Sequence, residues 1–108
     1  MSAYRDRAVA YNNLGKFRQA ISDCSAALDI NASESDVYRV RAYALARMGK
    51  THEAIQDCTR CIELDSKSWI AYQLRSELLK QIGESQASKR DRETAIQLNP
   101  AAAAPAPR

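Results

Sequence analysis

The chain has 108 residues, a length that suits one domain able to bury a modest core. Its 45% hydrophobic and 27% charged residues are typical of an ordinary globular protein and argue against a disordered chain or a membrane-spanning one. The net charge of +3 comes from interspersed charges of both signs, which disfavours nucleic-acid binding because that requires a clustered basic face.

The three glycines, Gly15, Gly49 and Gly83, follow one another at intervals of 34 residues. Every proline lies at Pro100 or beyond, so nothing earlier interrupts a helix through proline. On both sides of each glycine, small and apolar residues recur three or four positions apart, which predicts one amphipathic helix per side. In chain order, the predicted helices span 2–14, 18–30, 36–48, 52–64, 69–82 and 86–98.

Helix ends are predicted from two kinds of residue. A glycine can adopt the left-handed conformation that closes a helix and reverses the chain. A hydroxyl or carboxylate side chain just before a helix can accept hydrogen bonds from unpaired backbone N–H groups. The predicted N-caps are Asp36, Thr51, Ser68 and Ser85.

The 34-residue spacing defines three repeats, at 1–34, 35–68 and 69–102, within one structural domain over 1–100. A short Ala/Pro tail, 103–108, is predicted to be disordered. The positions that recur in register include Tyr4, Tyr38 and Tyr72; Arg7, Arg41 and Arg75; and Asp23, Asp57 and Asp91. The fold class is therefore all-α, with six antiparallel helices in three helix-turn-helix repeats.

Small residues at Ala8, Ala20 and Ala27 would let the two helices of a repeat approach closely. A 34-residue period with Tyr4, a small eighth residue, Tyr11, a central glycine and these alanines resembles the tetratricopeptide repeat. The first two repeats are most similar in style to those of cytosolic co-chaperones. The resemblance implies a right-handed α-solenoid whose first helices line a concave groove.

The resemblance also implies which side chains face that groove and bind a peptide or a partner helix. Cations and amides are prominent among them, so an extended acidic or polar peptide is a plausible guest. Asp6 is included in this face. The committed groove residues are Arg5, Val9, Asn12, Asn13, Arg39, Val40, Tyr43, Arg47, Gln73, Leu74, Glu77 and Lys80.

Chaperone-binding members of the family hold a peptide's terminal carboxylate with a clamp of Lys, Asn and Arg side chains. Arg5 could supply the first cation here. The other clamp positions hold apolar residues, so the resemblance to co-chaperones does not extend to this site. These residues are Val9, Val40, Ile70 and Leu74.

Cys58 and Cys61 form a C-x-x-C motif, which elsewhere marks redox or zinc sites. They fall at small core positions of a predicted helix, and Cys24 occupies the same position as Cys58 one repeat earlier, so we interpret all three as packing residues. An odd number of cysteines and a charged N-terminal segment predict reduced thiols and a cytoplasmic protein. No metal or cofactor is expected.

The repeated arginines and aspartates lie sixteen residues apart, and the sequence leaves open which carboxylate each arginine takes. Ion pairs between helices are the favoured interpretation, because contacts to a ligand need no copy in every repeat. Binding arginines are the alternative.

No catalytic triad or phosphate-binding loop is recognisable, so the sequence predicts a non-enzymatic adaptor that binds a protein or peptide and neither nucleic acid nor membrane. Self-association through the terminal helices is a second hypothesis, because Ile96 and Leu98 could leave an apolar strip exposed on the last helix. A thiol or metal enzyme using Cys58 and Cys61 is a third.

Overall fold

The computed structural model describes residues 3–103, which form six α-helices and a short 3-10 helix. No strand occurs within this range. The predicted helices are all present, with ends displaced by one residue at most. They are α1 (Ala3–Asn13), α2 (Phe17–Ile30), α3 (Ser35–Arg47), α4 (Thr51–Leu64), α5 (Trp69–Gln81) and α6 (Ser85–Leu98), and the 3-10 helix is Pro100–Ala103.

The helices stack in chain order as an α-helical repeat solenoid. Each helix packs against its neighbours in the chain, and α1 also contacts α3, as α3 contacts α5. The second helices of the repeats, α2, α4 and α6, make no such contacts with one another. Because only the first helices are in mutual contact, they line the inner, concave side. Across residues 3–103, no helix is long and apolar enough to span a bilayer.

The glycines close the first helix of each repeat in the same way. Gly15, Gly49 and Gly83 have φ angles of 76°, 78° and 83°, in the left-handed region where an L side chain is strained. At the first of them, Lys16 N–H donates to the Tyr11 carbonyl at 2.8 Å and Gly15 N–H donates to Asn12 at 3.0 Å. This pair of bonds is a Schellman motif, which satisfies carbonyls at the helix end.

The predicted N-caps were wrong for three of the helices. Thr51 and Ser85 lie inside α4 and α6 as their first residues, and the cap positions belong to Lys50 and Glu84, neither of which makes a side-chain capping bond. The reason is the tightness of the turn. The residue after each glycine both completes the Schellman motif and precedes the next helix, so no separate capping residue fits between them.

Elsewhere the capping side chains also differ from the prediction. Asp36 lies within α3 and accepts a hydrogen bond from Arg5, and Ser68 occupies the cap position of α5 without a capping bond. The links between repeats are instead fixed by Asx turns, in which a side-chain oxygen accepts a bond from the N–H two residues later. These oxygens belong to Asn31, Asp65 and Asn99, again 34 residues apart.

The helix crossings within repeats are held by very small residues. Ala8 and Ala20 in the first repeat, and Ala42 and Ala54 in the second, are all 0% exposed. The third repeat has Ser76 and Ser88 at these positions. Each serine hydroxyl donates to the other's backbone carbonyl, at 2.9 and 2.7 Å, so the close approach is kept without an unsatisfied buried hydroxyl.

The repeated arginines and aspartates form ion pairs within each repeat, which confirms the structural interpretation. Arg41 donates from Nε and Nη2 to the two oxygens of Asp57 at 2.7 and 2.9 Å. Arg75 holds Asp91 with the same bidentate geometry, at 2.6 and 2.8 Å. These bonds tie the first helix of a repeat to the second.

The first repeat has the same pair at its outer edge. Arg7 donates to both oxygens of Asp23 at 2.7 Å, and its hydrogen bond lowers the pKa of that carboxyl group. The arginine also lies over the rings of Tyr4 and Tyr11, 5.9 Å from each centroid. The conserved spacing of aromatic and arginine therefore has a packing role: the ring supports the guanidinium.

Candidate functional site: the concave groove

The largest concavity lies on the inner side of the solenoid and has a volume of about 400 Å³. All its lining residues come from the first helices of the three repeats. Within each helix they are one turn apart, so they share one face. They are Val9, Asn12 and Asn13 from α1, Arg39, Val40 and Tyr43 from α3, and Ile70, Gln73, Leu74 and Glu77 from α5.

Apolar side chains from all three helices meet in this concavity, which we call the apolar floor: Val9, Val40, Tyr43, Ile70 and Leu74. Val40 is only 4% exposed and forms part of the core, whereas Val9, Ile70 and Tyr43 are 40–44% exposed to solvent. Apolar groups that remain exposed in a concave site gain free energy when a partner covers them.

Polar side chains surround the apolar floor. Arg39 and Glu77 carry opposite charges, and the amide groups of Asn13 and Gln73 lie between the helices that hold them. Asn12 donates from Nδ2 to the Val40 carbonyl at 3.2 Å, which links α1 to α3. Its Oδ1 is buried and accepts no hydrogen bond from the residues that the structure describes.

Three of the expected groove residues do not line this concavity. Arg5 donates to Asp36 at 2.6 Å, so its guanidinium connects α1 to α3. Arg47 lies over the ring of Phe17, 5.6 Å from the centroid. Lys80 lines a separate depression between α5 and α6. Asp6, on the same helix as Arg5, is exposed and contacts it at 3.3 Å.

Ile70 lines the apolar floor but was not among the expected groove residues. It precedes Gln73 and Leu74 by three and four positions, so helical spacing alone could have identified it. With Val9, Val40 and Leu74, it also occupies a position where the resemblance predicted a polar clamp residue. The structure brings these four apolar residues together.

The cysteines lie in the core, away from the groove. Cys24, Cys58 and Cys61 are free thiols with at most 1% of their surface exposed. Burial raises the pKa of Cys24 and of Cys58 to about 12, which keeps both sulfurs protonated and poorly nucleophilic at neutral pH. Within residues 3–103, no group of three His, Cys, Asp or Glu side chains could hold a metal ion.

Sequence comparison places this groove in a known family, because the profile of the tetratricopeptide repeat matches residues 2–34 and 35–68. The chain belongs to the tetratricopeptide repeat family. Tetratricopeptide repeat domains are protein–protein interaction modules. A search among individual curated proteins gave no match.

Solved structures of tetratricopeptide repeats have the same fold. The second such domain of Spaghetti (RPAP3), bound to the HSP90 peptide SRMEEVD, superposes with a TM-score of 0.88 at 27% identity, over 90% of each chain. The second domain of human RPAP3, in complex with the HSP70 peptide SGPTIEEVD, gives 0.86 at 28% identity, over 91% of this chain and 82% of that one. The Arabidopsis OM64 domain, at 22% identity and a TM-score of 0.88 over 91% and 81%, shares the fold.

Proposed function

We propose that this chain is a non-enzymatic adaptor that binds an extended peptide or a partner helix in its concave groove, anchored by an apolar side chain of the guest. The observation that carries the proposal is the apolar floor. Its members come from three successive first helices, and three of them remain 40–44% exposed. A single guest segment that crosses the three helices could cover all of them.

The size and lining of the concavity suit such an anchor. A volume of about 400 Å³ is within the range of sites that bind side chains or small ligands. Covering the apolar floor would contribute about 25 cal/mol for each Å² removed from water. Apolar anchors in pockets of this kind usually dominate the binding energy of a peptide.

The charged rim would orient the guest. Arg39 lies near the start of α3, and Glu77 lies nearly two turns further along α5 than Ile70. A guest is therefore expected to carry an acidic or carbonyl group beside Arg39 and a hydrogen-bond donor beside Glu77. These contacts would fix its direction, and the apolar anchor would supply most of the affinity.

Co-chaperone-type binding of an acidic C-terminal peptide is the alternative. The similar RPAP3 domains are bound to peptides that end in Glu-Glu-Val-Asp. In this chain Val9, Val40, Ile70 and Leu74 replace polar clamp residues, and Arg5 is engaged with Asp36. We therefore expect such peptides to bind weakly. The three buried free thiols suit a reducing compartment such as the cytoplasm.

The test is selection from a displayed library of random peptides, followed by titration of the enriched peptides against Ile70→Asp. Residue 70 lies in the first turn of α5, where a carboxylate is favourable to the helix dipole, so this variant should fold. Gln86→Asp is the matched control, because Gln86 is exposed in the first turn of α6 and outside the groove.

We expect enriched peptides to share a large apolar residue, and their affinity to fall roughly ten- to thirtyfold in Ile70→Asp but not in Gln86→Asp. The synthetic peptide SRMEEVD and its C-terminal amide should both bind weakly. Strong binding of SRMEEVD that is lost on amidation would favour the co-chaperone-type alternative. Enriched peptides that bind Ile70→Asp as tightly as the parent chain would remove the groove from the account.

A further inference from the structure

We propose that a second copy of this chain docks head to tail, with α1 of one copy seated on the face formed by α5 and α6 of the next. The surfaces involved are the two ends of the solenoid and exclude the apolar floor, so this inference is independent of the proposed function. It rests on extending the contacts found at the two internal repeat boundaries to the exposed end faces.

At each internal boundary, an arginine of the later repeat reaches back to a hydroxyl on the second helix of the earlier one. Arg41 donates from Nη1 to the Ser25 hydroxyl at 3.3 Å. Arg75 donates from Nη1 to the Thr59 hydroxyl at 3.2 Å. In both cases the partner is sixteen residues earlier in the chain, so the contact follows from the repeat geometry.

The same two positions at the ends of the solenoid carry opposite charges. Arg7 is equivalent to Arg41 and Arg75, and its side chain is 58% exposed, compared with 24% and 21% for these two. Glu93 on α6 is exposed and occupies the position of the internal hydroxyl residues, two repeats after Ser25. When a second copy continues the array, its Arg7 meets Glu93.

A second contact at the internal boundaries is apolar. Val40 shares a buried cluster with Cys24 at the first boundary. At the second boundary, Leu74 packs against the cluster that contains Cys58. Each pair joins a first helix to the second helix of the preceding repeat.

At the ends of the solenoid this apolar pair is replaced by Asp6 on α1 and Arg92 on α6. Both residues are exposed, and again their charges are opposite. Ala10 and Ala95 occupy neighbouring positions of these faces and leave room for close approach, as Ala44 and Ala27 do where they are buried at the first boundary.

Two pairs of opposite charge in register give the end faces a specific complementarity. Each charge also disfavours wrong pairings, because a copy turned the other way would bring like charges together. Contacts of this kind between exposed groups are weak and are screened by salt, so the association should be reversible. Since the two faces differ, the contact is heterologous and adds copies in an open chain or a ring.

The test is analytical ultracentrifugation of the full chain over a range of concentrations. We expect the sedimentation coefficient of the parent chain to rise with concentration at an ionic strength of about 0.05 M and to rise less at about 0.5 M. The single variants Asp6→Arg and Arg92→Glu place like charges opposite each other, and each should weaken association roughly tenfold or more.

An equimolar mixture of the two variants separates specific docking from general charge effects. In the mixture Arg at residue 6 of one chain faces Glu at residue 92 of the other, so we expect association to return. Arg90→Glu is the matched control, because its equivalents Ser22 and Gln56 are exposed within the array. It should associate like the parent chain, and circular dichroism should show equal helicity for all variants.

Recovery in the mixture, with loss in each single variant, supports the proposal even if Asp6→Arg loosens the end of α1. A parent chain whose mass is that of a monomer at every concentration would overturn it. So would a mixture that stays monomeric, or single variants that associate as the parent does.

Discussion

Two groups of positions in the repeats differ in how they vary. At the framework positions, which lie between the helices of a repeat, all three copies carry the same or closely similar residues, such as the ion pair of Arg41 and Asp57. On the concave face the copies differ. Val9, Tyr43 and Glu77 occupy one position there in the three repeats, and all three line the groove.

This contrast separates what builds the solenoid from what it recognises. A framework contact is needed once per repeat because every pair of helices must pack, so its residues recur every 34 positions. A guest lies across the three repeats only once and meets a different part of itself at each. Substitutions at framework positions should therefore change stability, and substitutions on the concave face should change binding.

The largest expected effect is from Asp57→Ala. It removes both acceptors from Arg41, whose side chain is only 24% exposed, and should lower the free energy of unfolding by about 3 kcal/mol. Urea denaturation measures the change. Asp23→Ala is the internal comparison and should cost clearly less, since Arg7 remains well solvated. Equal losses at the two sites would contradict this assignment of burial.

Ala54→Leu comes next. Ala54 is 0% exposed at the crossing of α3 and α4, so a larger side chain must push the helices apart, with an expected loss of about 2 kcal/mol. Thermal unfolding followed by circular dichroism is a suitable measurement. Gln56→Leu, an exposed substitution on the same helix, should change stability by less than about 0.5 kcal/mol.

The serine pair of the third repeat sharpens the comparison within the framework. Ser76→Ala removes one buried hydrogen bond and should cost about 1 kcal/mol. The double variant with Ser88→Ala recreates the alanine crossing of the other repeats, so it should cost less than the sum of the two single variants. A double-mutant cycle measures this coupling, and strict additivity would count against the paired hydrogen bonds.

The smallest effect on stability is expected from Ile70→Asp on the concave face, at less than about 1 kcal/mol, because the side chain is already 41% exposed. Urea denaturation of this variant beside Gln86→Asp provides the check. A loss as large as that of Ala54→Leu would mean that Ile70 belongs to the framework.

Much of the fold could be predicted from the sequence because the framework is periodic. Glycines 34 residues apart and alanines at helical spacing located all six helices to within one residue. The N-caps could not be placed from residue type alone, because the Schellman turn after Gly49 uses the residue that would precede a cap. The Asx turns at Asn31 and Asp65 carried the repeat signal but were overlooked.

The concave face was less predictable, since its residues do not recur. Helical spacing and the family resemblance identified Val9, Tyr43 and Leu74 as facing one side, and the structure places them in one concavity. The positions of Arg5 and Arg47 depended on partners in other helices, which sequence alone does not give. Asp36 engages the first, and the ring of Phe17 lies under the second.

The central claim, that a guest binds on the concave face through an apolar anchor, is tested most directly by nuclear magnetic resonance. A peptide selected against the chain would be titrated into protein labelled with ¹⁵N and with ¹³C at the methyl groups. We predict that the largest shift changes fall on Val9, Tyr43, Ile70 and Leu74, with little change in the outer surfaces of α2, α4 and α6. Changes confined to those outer surfaces would contradict the account.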